Sequence, residues 1–93
     1  MIKHFDITVI GKVQGVYFRA FTQTQAQKLG LAGFVKNESN GNVYIEAEGE
    51  EDQLNKLLEW CKIGPPNAEV NDLKVQESEL KFFSDFVIKK IIW

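Results

Sequence analysis

The sequence predicts an α+β fold in the order β-α-β-β-α-β plus a closing strand, with both helices on one face of an antiparallel sheet. Two observations support this prediction. The spacing of apolar residues along the 93-residue chain switches repeatedly between a period of two and a helical period. Asn40-Gly41 lies between two strand-like segments with no helical pattern between them, and this dipeptide is a strong hairpin signal.

The first half of the chain predicts a strand, a helix and a hairpin. Apolar and polar residues alternate over residues 5–9, which is typical of a half-buried strand. Over residues 21–29, apolar-stripe positions recur at spacings of four and three, which predicts a helix. Gly30 can close that helix in the left-handed conformation. Strands are then expected over residues 31–36 and 43–48, on the two sides of the hairpin turn.

The second half predicts another helix. The acidic residues 50–52 complement the positive end of a helix dipole. Apolar residues follow at helical spacing over residues 54–61, and Gly64-Pro65-Pro66 stops the helix.

Two strands complete the predicted sheet. Apolar residues change parity within residues 68–75, which predicts a strand with a bulge near Asn71 or Asp72. The apolar stretch from Leu80 to Ile92 predicts a closing strand around residues 83–89. The whole is the ferredoxin-like α/β sandwich, a fold that serves many functions and therefore indicates none by itself.

Composition restricts the class of protein. The length predicts one domain over residues 1–93, and a 44% hydrophobic content supports a core without disulfides. A net charge of -2 argues against nucleic-acid binding, because that binding depends on Lys and Arg neutralising phosphates. The N-terminal residues lack the apolar run of a signal peptide, and no segment approaches the roughly 20 apolar residues of a membrane span. We expect a cytoplasmic monomer with no nucleic-acid or membrane partner.

Arg19 is the only arginine among 11 basic residues, and it follows a glycine loop at residues 11–15. A guanidinium group binds phosphate through two parallel hydrogen bonds, which an ammonium group does not form. Backbone N–H groups of such a loop, together with the positive end of the next helix, can face an anion. A plain strand-to-helix connection with a surface arginine explains the same residues. The spacing therefore indicates an anion site and leaves the reaction open.

Two longer segments carry a resemblance to a known family. Residues 11–19 read Gly-Lys-Val-Gln-Gly-Val-Tyr-Phe-Arg, and residues 33–43 read Gly-Phe-Val-Lys-Asn-Glu-Ser-Asn-Gly-Asn-Val. They resemble the two signatures of the acylphosphatase family, and Gly64-Pro65-Pro66 with Ala68 resembles the family's turn before the fourth strand. The likeness extends over essentially the whole chain. At Asn40 many relatives have aspartate, a change that preserves the turn chemistry.

The resemblance implies an acylphosphatase, which hydrolyses the carboxyl-phosphate bond of small acyl phosphates without a metal or cofactor. In this family the loop arginine binds the substrate phosphate, a role that carries over to Arg19. The family's asparagine positions the attacking water, a role that carries over to Asn37. Backbone N–H groups of the loop assist the arginine. The corresponding residues here are Gln14, Gly15, Val16, Tyr17 and Phe18.

This chemistry is consistent with the residue types. The leaving group is a carboxylate with a pKa of about 4–5, so it departs without being protonated. The transition state spreads negative charge over the phosphoryl oxygens, where fixed donors contribute most to the rate. Asn37 is a poor base, and we expect the substrate's own phosphate to accept the water's proton.

Other chemistries find little support in the sequence. Metal sites usually draw on several His, Cys or clustered carboxylates, and this chain has one His and one Cys. We interpret His4 as a surface residue at a strand end and Cys61 as a core residue of the second helix. The acidic residues within 46–52 indicate a solvent-exposed strand face followed by a helix start.

The aromatic residues around the loop have structural interpretations. Phe18 and Phe21 are expected to pack in the core under the first helix. Tyr17 has two interpretations, one in packing and one at the mouth of the pocket.

Two further functions are compatible with the predicted fold. A non-catalytic module would bind an anionic metabolite in the same loop without turnover. A domain that handles carbamoyl phosphate within carbamoyl-transfer machinery would use the loop for that ligand. Arg19 together with Asn37 favours the enzyme, because an anion sensor has no need to position water. The sequence leaves the physiological acyl phosphate open.

Overall fold

A computed structural model of the protein describes residues 1–90 and shows the predicted order of elements. The elements are β1 (Ile2–Lys12), α1 (Phe18–Lys28), β2 (Ala32–Asn37), β3 (Val43–Glu50), α2 (Glu51–Cys61), β4 (Glu69–Ser78) and β5 (Phe86–Lys89). This order confirms the ferredoxin-like α+β fold class. The end of the apolar C-terminal stretch, residues 91–93, lies outside the described residues. No helix in the described range is long and apolar enough to cross a membrane.

The five strands form one sheet in the order β4-β1-β3-β2-β5. The pairs β1–β3, β1–β4 and β2–β3 are antiparallel, which confirms the hairpin at Asn40-Gly41. β5 instead pairs parallel with β2, so the prediction of an antiparallel sheet is wrong at this edge. The physical reason is the connection: residues 79–85 lead from β4 at one edge of the sheet to β5 at the other. A crossover of this kind allows the parallel direction, which a tight turn does not.

The predicted bulge is present in β4. Ile10 pairs with Asp72 and Gly11 pairs with Val70, which leaves Asn71 as the extra residue. Gly11 has a φ of 143°, and a Cβ at this position would collide with the backbone oxygen of Glu69. β1 therefore continues to Lys12, three residues beyond the alternating pattern that predicted it, and the glycine fits β1 closely against the bulge.

Both helices pack on one face of the sheet. α1 contacts β2 and β5, and α2 contacts β1 and β3. The buried core combines alternating strand residues with the inner faces of the helices, including Phe5, Ile7, Val9, Phe18, Ala26, Val35, Val43, Ile45, Ala47, Leu54, Leu57, Cys61 and Phe86. The interpretation of Cys61 as a core residue is confirmed, and burial raises the pKa of its thiol to about 12.

Two predictions about the opposite face of the sheet are wrong. His4 is 0% exposed, and Glu46 and Glu48 are each 7% exposed, so neither a surface histidine nor a solvated acidic strand face is present. Residues 79–85 pass over these side chains, and the backbone N–H groups of Lys81 and Phe83 donate hydrogen bonds to Glu48. The alternation of β3 is real, but its polar side is covered by a segment distant in sequence.

Candidate active site

A cavity of about 650 Å³ opens where the β1–α1 loop meets the ends of β2 and β5. The residues that line it are Val13, Gly15, Tyr17, Phe18, Arg19, Ala20, Asn37, Ile88 and Lys90. Arg19 and Asn37, which belong to different signatures in the sequence, thus lie on one cavity.

The loop before α1 presents its backbone N–H groups without partners. Gly15 and Tyr17 both have positive φ values, of 75° and 64°. Such a conformation brings neighbouring N–H groups to one side of the chain and forms an anion-binding concavity. Within residues 1–90, the N–H groups of residues 15–20 donate to no other group, and the N-cap residue Tyr17 provides no side-chain cap. A positive φ is uncommon for a tyrosine, and backbone strain of this kind clusters at functional sites.

Arg19 lies in the first turn of α1 and is half-buried. In the described part of the chain its guanidinium forms no hydrogen bond and no ion pair. The first turn of α1 contains no acidic residue, and among the described residues no carboxylate lines the cavity. The positive end of the helix dipole and the guanidinium charge therefore act together on the same space.

Asn37 is the last residue of β2 and faces Val43 across the hairpin. Its side-chain oxygen Oδ1 is buried, and no residue among 1–90 donates a hydrogen bond to it. Buried polar atoms normally have a partner, so an unpaired one on a cavity wall is well suited to a small ligand or water.

The remaining loop residues predicted for the site divide into two groups. Gly15, Tyr17 and Phe18 line the cavity, whereas the side chains of Gln14 and Val16 do not. Val16 is buried in the core. The side-chain nitrogen of Gln14 donates hydrogen bonds to the backbone oxygens of Glu38, at 2.7 Å, and Asn42, at 2.9 Å.

The aromatic residues near the loop differ in burial. Phe18 is buried and packs on Trp60 with their ring centroids 5.4 Å apart, which confirms the core assignment. The ring of Phe18 also lies against Gly64, where a Cβ would come within 2.8 Å of it. Phe21 is 43% exposed, so its predicted place in the core is wrong. Tyr17 lines the cavity and is exposed, which places it at the mouth.

Sequence reasoning missed four residues of the cavity. Val13 and Ala20 lie next to the predicted loop in sequence, whereas Ile88 and Lys90 are distant from it. The latter two belong to the closing segment, and the parallel register, which pairs Lys36 with Lys89, places them beside the end of β2. Gln23 of α1 holds this strand by donating a hydrogen bond to the backbone oxygen of Phe86, at 3.1 Å. No local pattern indicates this neighbourhood, because it depends on which edge strand β5 joins.

The family model for Acylphosphatase matches residues 5–88. The chain belongs to the acylphosphatase family. An acylphosphatase of Dehalococcoides mccartyi is 52% identical over 83 residues, which is 87% of this chain and 91% of that protein. The crystal structure of acylphosphatase from Bacillus subtilis superposes with a TM-score of 0.92 at 44% identity, covering 96% of this chain and 99% of that chain.

A larger protein contains a similar unit. The crystal structure of full-length HypF in its phosphate- and nucleotide-bound form matches 98% of this chain at 39% identity, with a TM-score of 0.90. The match covers 12% of the HypF chain, so this likeness concerns one part of that protein.

Family membership identifies the reaction. The protein hydrolyses the bond between the carboxyl and phosphoryl groups of small acyl phosphates, as an acylphosphatase does. The predicted family, reaction and substrate class are therefore confirmed.

Proposed function

We propose that Arg19 and the backbone N–H groups of residues 14–18 bind the phosphoryl group, while Asn37 orients the attacking water. The observation that carries this proposal is the shared cavity, on which an unpaired guanidinium and an unpaired buried amide oxygen both lie. The N–H groups at the start of α1 add donors whose directions are already set by the loop. Donors fixed in this way stabilise developing charge without reorganisation during the reaction.

The proposed reaction follows from these positions. Water hydrogen-bonded to Asn37 Oδ1 attacks phosphorus, and the bond between phosphorus and the carboxyl oxygen breaks. The carboxylate leaves as an anion with both electrons of that bond, and the water's proton passes to a phosphoryl oxygen. Arg19 and the loop N–H groups hold the phosphoryl oxygens as negative charge spreads over them. None of these steps requires a general acid, which is consistent with a cavity lining that contains no carboxylate or histidine among the described residues.

The test uses benzoyl phosphate hydrolysis in the presence of EDTA. Replacing Arg19 by Lys keeps the charge and removes the planar fork, so we expect kcat/KM to fall by about two to three orders of magnitude. Replacing Asn37 by Ala is expected to lower kcat by a similar factor while the inhibition constant of inorganic phosphate changes less than about twofold. Lys28→Ala, at the exposed far end of α1, is the matched control and should retain wild-type kinetics.

Two results would remove the assigned roles. Wild-type activity in Arg19→Lys would show that bidentate phosphate binding does not occur there. If phosphate affinity in Asn37→Ala fell by as large a factor as kcat, Asn37 would be a phosphate-binding residue. Loss of wild-type activity in EDTA would contradict a metal-free reaction. Carbamoyl phosphate should be assayed beside benzoyl phosphate, because a strong preference for it would identify the physiological ligand class.

We further propose that residues 1–93 act as one acylphosphatase-like domain, as a monomer in the cytoplasm, with no cofactor. One hydrophobic cluster in the described range includes residues of both helices and of β1, β2, β3 and β5, which supports a single folding unit. The lone Cys61 is buried, so it is not placed to link two chains. Sedimentation velocity should give a mass near 10.6 kDa, and a dimer would contradict the proposal.

A further inference from the structure

The sheet face opposite the helices carries a polar cluster outside the lining of the cavity that holds Arg19. Nε2 of His4, a carboxylate oxygen of Asp6 and one of Glu46 all lie within 4.8 Å of one another. None of these three residues lines the acyl phosphate cavity. The geometry points to a binding site for one divalent transition-metal ion of the Zn²⁺ type, held by His4, Asp6 and Glu46.

The distances suit such an ion. His4 Nε2 lies 3.0 Å from Glu46 Oε1 and 3.3 Å from Asp6 Oδ1. Ligand atoms about 2.1 Å from a tetrahedral zinc are about 3.4 Å apart, so these two pairs need little movement to admit the ion. One imidazole nitrogen with two carboxylate oxygens is a ligand set that zinc accepts, with a fourth position left for water.

Asp6 supplies an independent indication that something binds here. Its Oδ1 atom is buried, and no residue among 1–90 donates a hydrogen bond to it, although it is close to the His4 ring. Burying a carboxylate oxygen without a donor costs free energy, and a coordinated cation removes that cost. The side chain itself keeps 23% of its surface exposed, so the site is accessible from one side.

Two of the three ligands, His4 and Glu46, are oriented by hydrogen bonds to residues that are not themselves ligands. His4 Nδ1 lies 3.0 Å from Glu48 Oε2, and Glu48 is held by the backbone N–H groups of Lys81, at 2.6 Å, and Phe83, at 3.1 Å. The hydroxyl of Tyr44 donates to Glu46 Oε2 at 2.8 Å. A carboxylate behind a metal-binding histidine fixes the tautomer that leaves the other nitrogen free for the metal.

Lys81 at present supplies positive charge to this cluster. Its Nζ lies 2.8 Å from Glu46 Oε1, the oxygen assigned to the metal, and the lysine side chain is 49% exposed. A half-exposed ammonium can swing into solvent at small cost, because exposed ion pairs are weak. The ion would bring two positive charges to a site faced by three carboxylates, those of Asp6, Glu46 and Glu48, and so replace the lysine.

A path to the site is present. A shallow cavity of about 330 Å³ on the same sheet face is lined in part by Asp6, Tyr44 and Lys74. Asp6 is the one proposed ligand that lines this cavity, so an ion entering there meets Asp6 first. His4 is the only histidine of the chain and Cys61, the only cysteine, is buried, so high-affinity zinc binding through imidazole has one location.

The test is calorimetric titration of tag-free, metal-stripped protein with ZnCl₂. We expect saturable binding of one ion per chain. Asp6→Asn should weaken it by at least about tenfold, and Tyr44→Phe, which leaves all three ligands in place, by about tenfold. Lys81→Gln removes the competing charge and should tighten binding by about tenfold, whereas Lys62→Gln, from an exposed pair at the C-terminal end of α2, should leave it unchanged. Co²⁺ in place of zinc should show visible d–d bands, and titration of these bands should show the same weakening in Asp6→Asn.

His4→Gln does not test the site, because His4 is buried between Glu46 and Glu48 and its replacement is expected to destabilise the fold. Asp6→Asn and Tyr44→Phe keep His4 between Glu46 and Glu48, and their melting curves show whether they are folded. Absence of saturable zinc binding to the wild type would overturn the proposal. So would equal zinc affinity in Asp6→Asn and wild type, or weaker binding in Lys81→Gln, since the latter would make the lysine part of the site.

Discussion

The side-chain nitrogen of Gln14 donates a 2.7 Å hydrogen bond to the backbone oxygen of Glu38. Glu38 directly follows Asn37, so this bond ties the loop that presents the N–H groups to the strand end that carries the amide. A second bond to the backbone oxygen of Asn42 fastens the loop to the other side of the hairpin. We propose that Gln14 is a positioning residue between the two halves of the cavity.

Replacing Gln14 by Ala should reduce kcat for benzoyl phosphate about ten- to hundredfold, because small displacements of reacting groups are costly. The free energy of unfolding should fall by only about 1–3 kcal/mol for two lost hydrogen bonds. Steady-state kinetics and urea unfolding measure the two effects separately. Thr24→Ala, which removes an exposed bond to Ala20 on α1, is the control for helix stability. Wild-type kcat in Gln14→Ala would contradict the positioning role.

Gly11 and Gly15 form a pair for testing backbone constraints. A Cβ on Gly11 meets the backbone of Glu69 and Asn71, whereas a Cβ on Gly15 meets nothing within 4 Å. We expect Gly11→Ala to lower the free energy of unfolding by about 2–4 kcal/mol. Gly15→Ala should lower it by about 1 kcal/mol, the cost of a left-handed alanine. Urea unfolding of the two variants gives both values. If Gly11→Ala had the same unfolding midpoint as Gly15→Ala, the bulge would tolerate a side chain.

Acid should unfold the protein through Glu46 and Glu48. Burial alone would raise the pKa of Glu46, but hydrogen bonds from Lys81, Tyr44 and His4 outweigh it and hold the pKa below the ordinary 4.5. Burial would likewise raise the pKa of Glu48, but hydrogen bonds hold this pKa below the ordinary value as well. The largest of these lowering effects comes from the backbone N–H of Lys81. The folded protein thus binds fewer protons than the unfolded chain. The stabilisation is complete above the ordinary pKa and is lost as the pH falls through the folded-state value.

The corresponding measurement is the melting temperature between pH 7 and pH 3 in EDTA. The wild type should lose stability below about pH 4.5. Glu48→Gln should be less stable at pH 7 and should lose less on acidification. Glu59→Gln, at an exposed carboxylate, should follow the wild-type curve. An acid transition in Glu48→Gln as steep as that of the wild type would refute the assignment.

Cys61 should be inert in the folded protein. Burial raises the pKa of its thiol to about 12, so almost no thiolate is present at pH 8, and the side chain is 0% exposed. Native protein should not react with iodoacetamide, and protein in guanidinium chloride should take up one equivalent per chain. Cys61→Ala should keep wild-type activity and lose about 1 kcal/mol of stability. Rapid labelling of the native protein would show that α2 opens locally.

Periodicity accounts for the parts of the fold that were predicted correctly. The alternating residues around Ile7 and Ile45 form facing core rows of β1 and β3, and the change of parity in β4 marks the bulge at Asn71. α1 begins at Phe18, three residues before its predicted start, because the turn at Tyr17 lets the helix begin inside the signature loop. These features are local, or depend only on one face of an element meeting an apolar core.

Contacts between distant segments account for what was predicted wrongly. His4 and Glu48 have the polar pattern of an exposed strand face, yet they are buried because residues 79–85 cross over them. The parallel pairing of β5 with β2 depends on the same crossing. Polarity in a sequence indicates which face of a strand avoids the apolar core, and it carries no information on whether a later segment covers that face.

The candidate site shows the same division. The order of residues alone predicted a candidate anion site at Arg19 and the glycine loop, because an anion cradle at a helix start is built from consecutive residues. Asn37 was predicted only through the resemblance of residues 33–43 to the family's second signature. Only the tertiary structure placed Ile88 and Lys90 on the cavity, assigned Gln14 to the hairpin, and gathered His4, Asp6 and Glu46 into one cluster. The physical reason is that these neighbours meet through sheet order and a crossing segment, and both arise from packing of the whole chain.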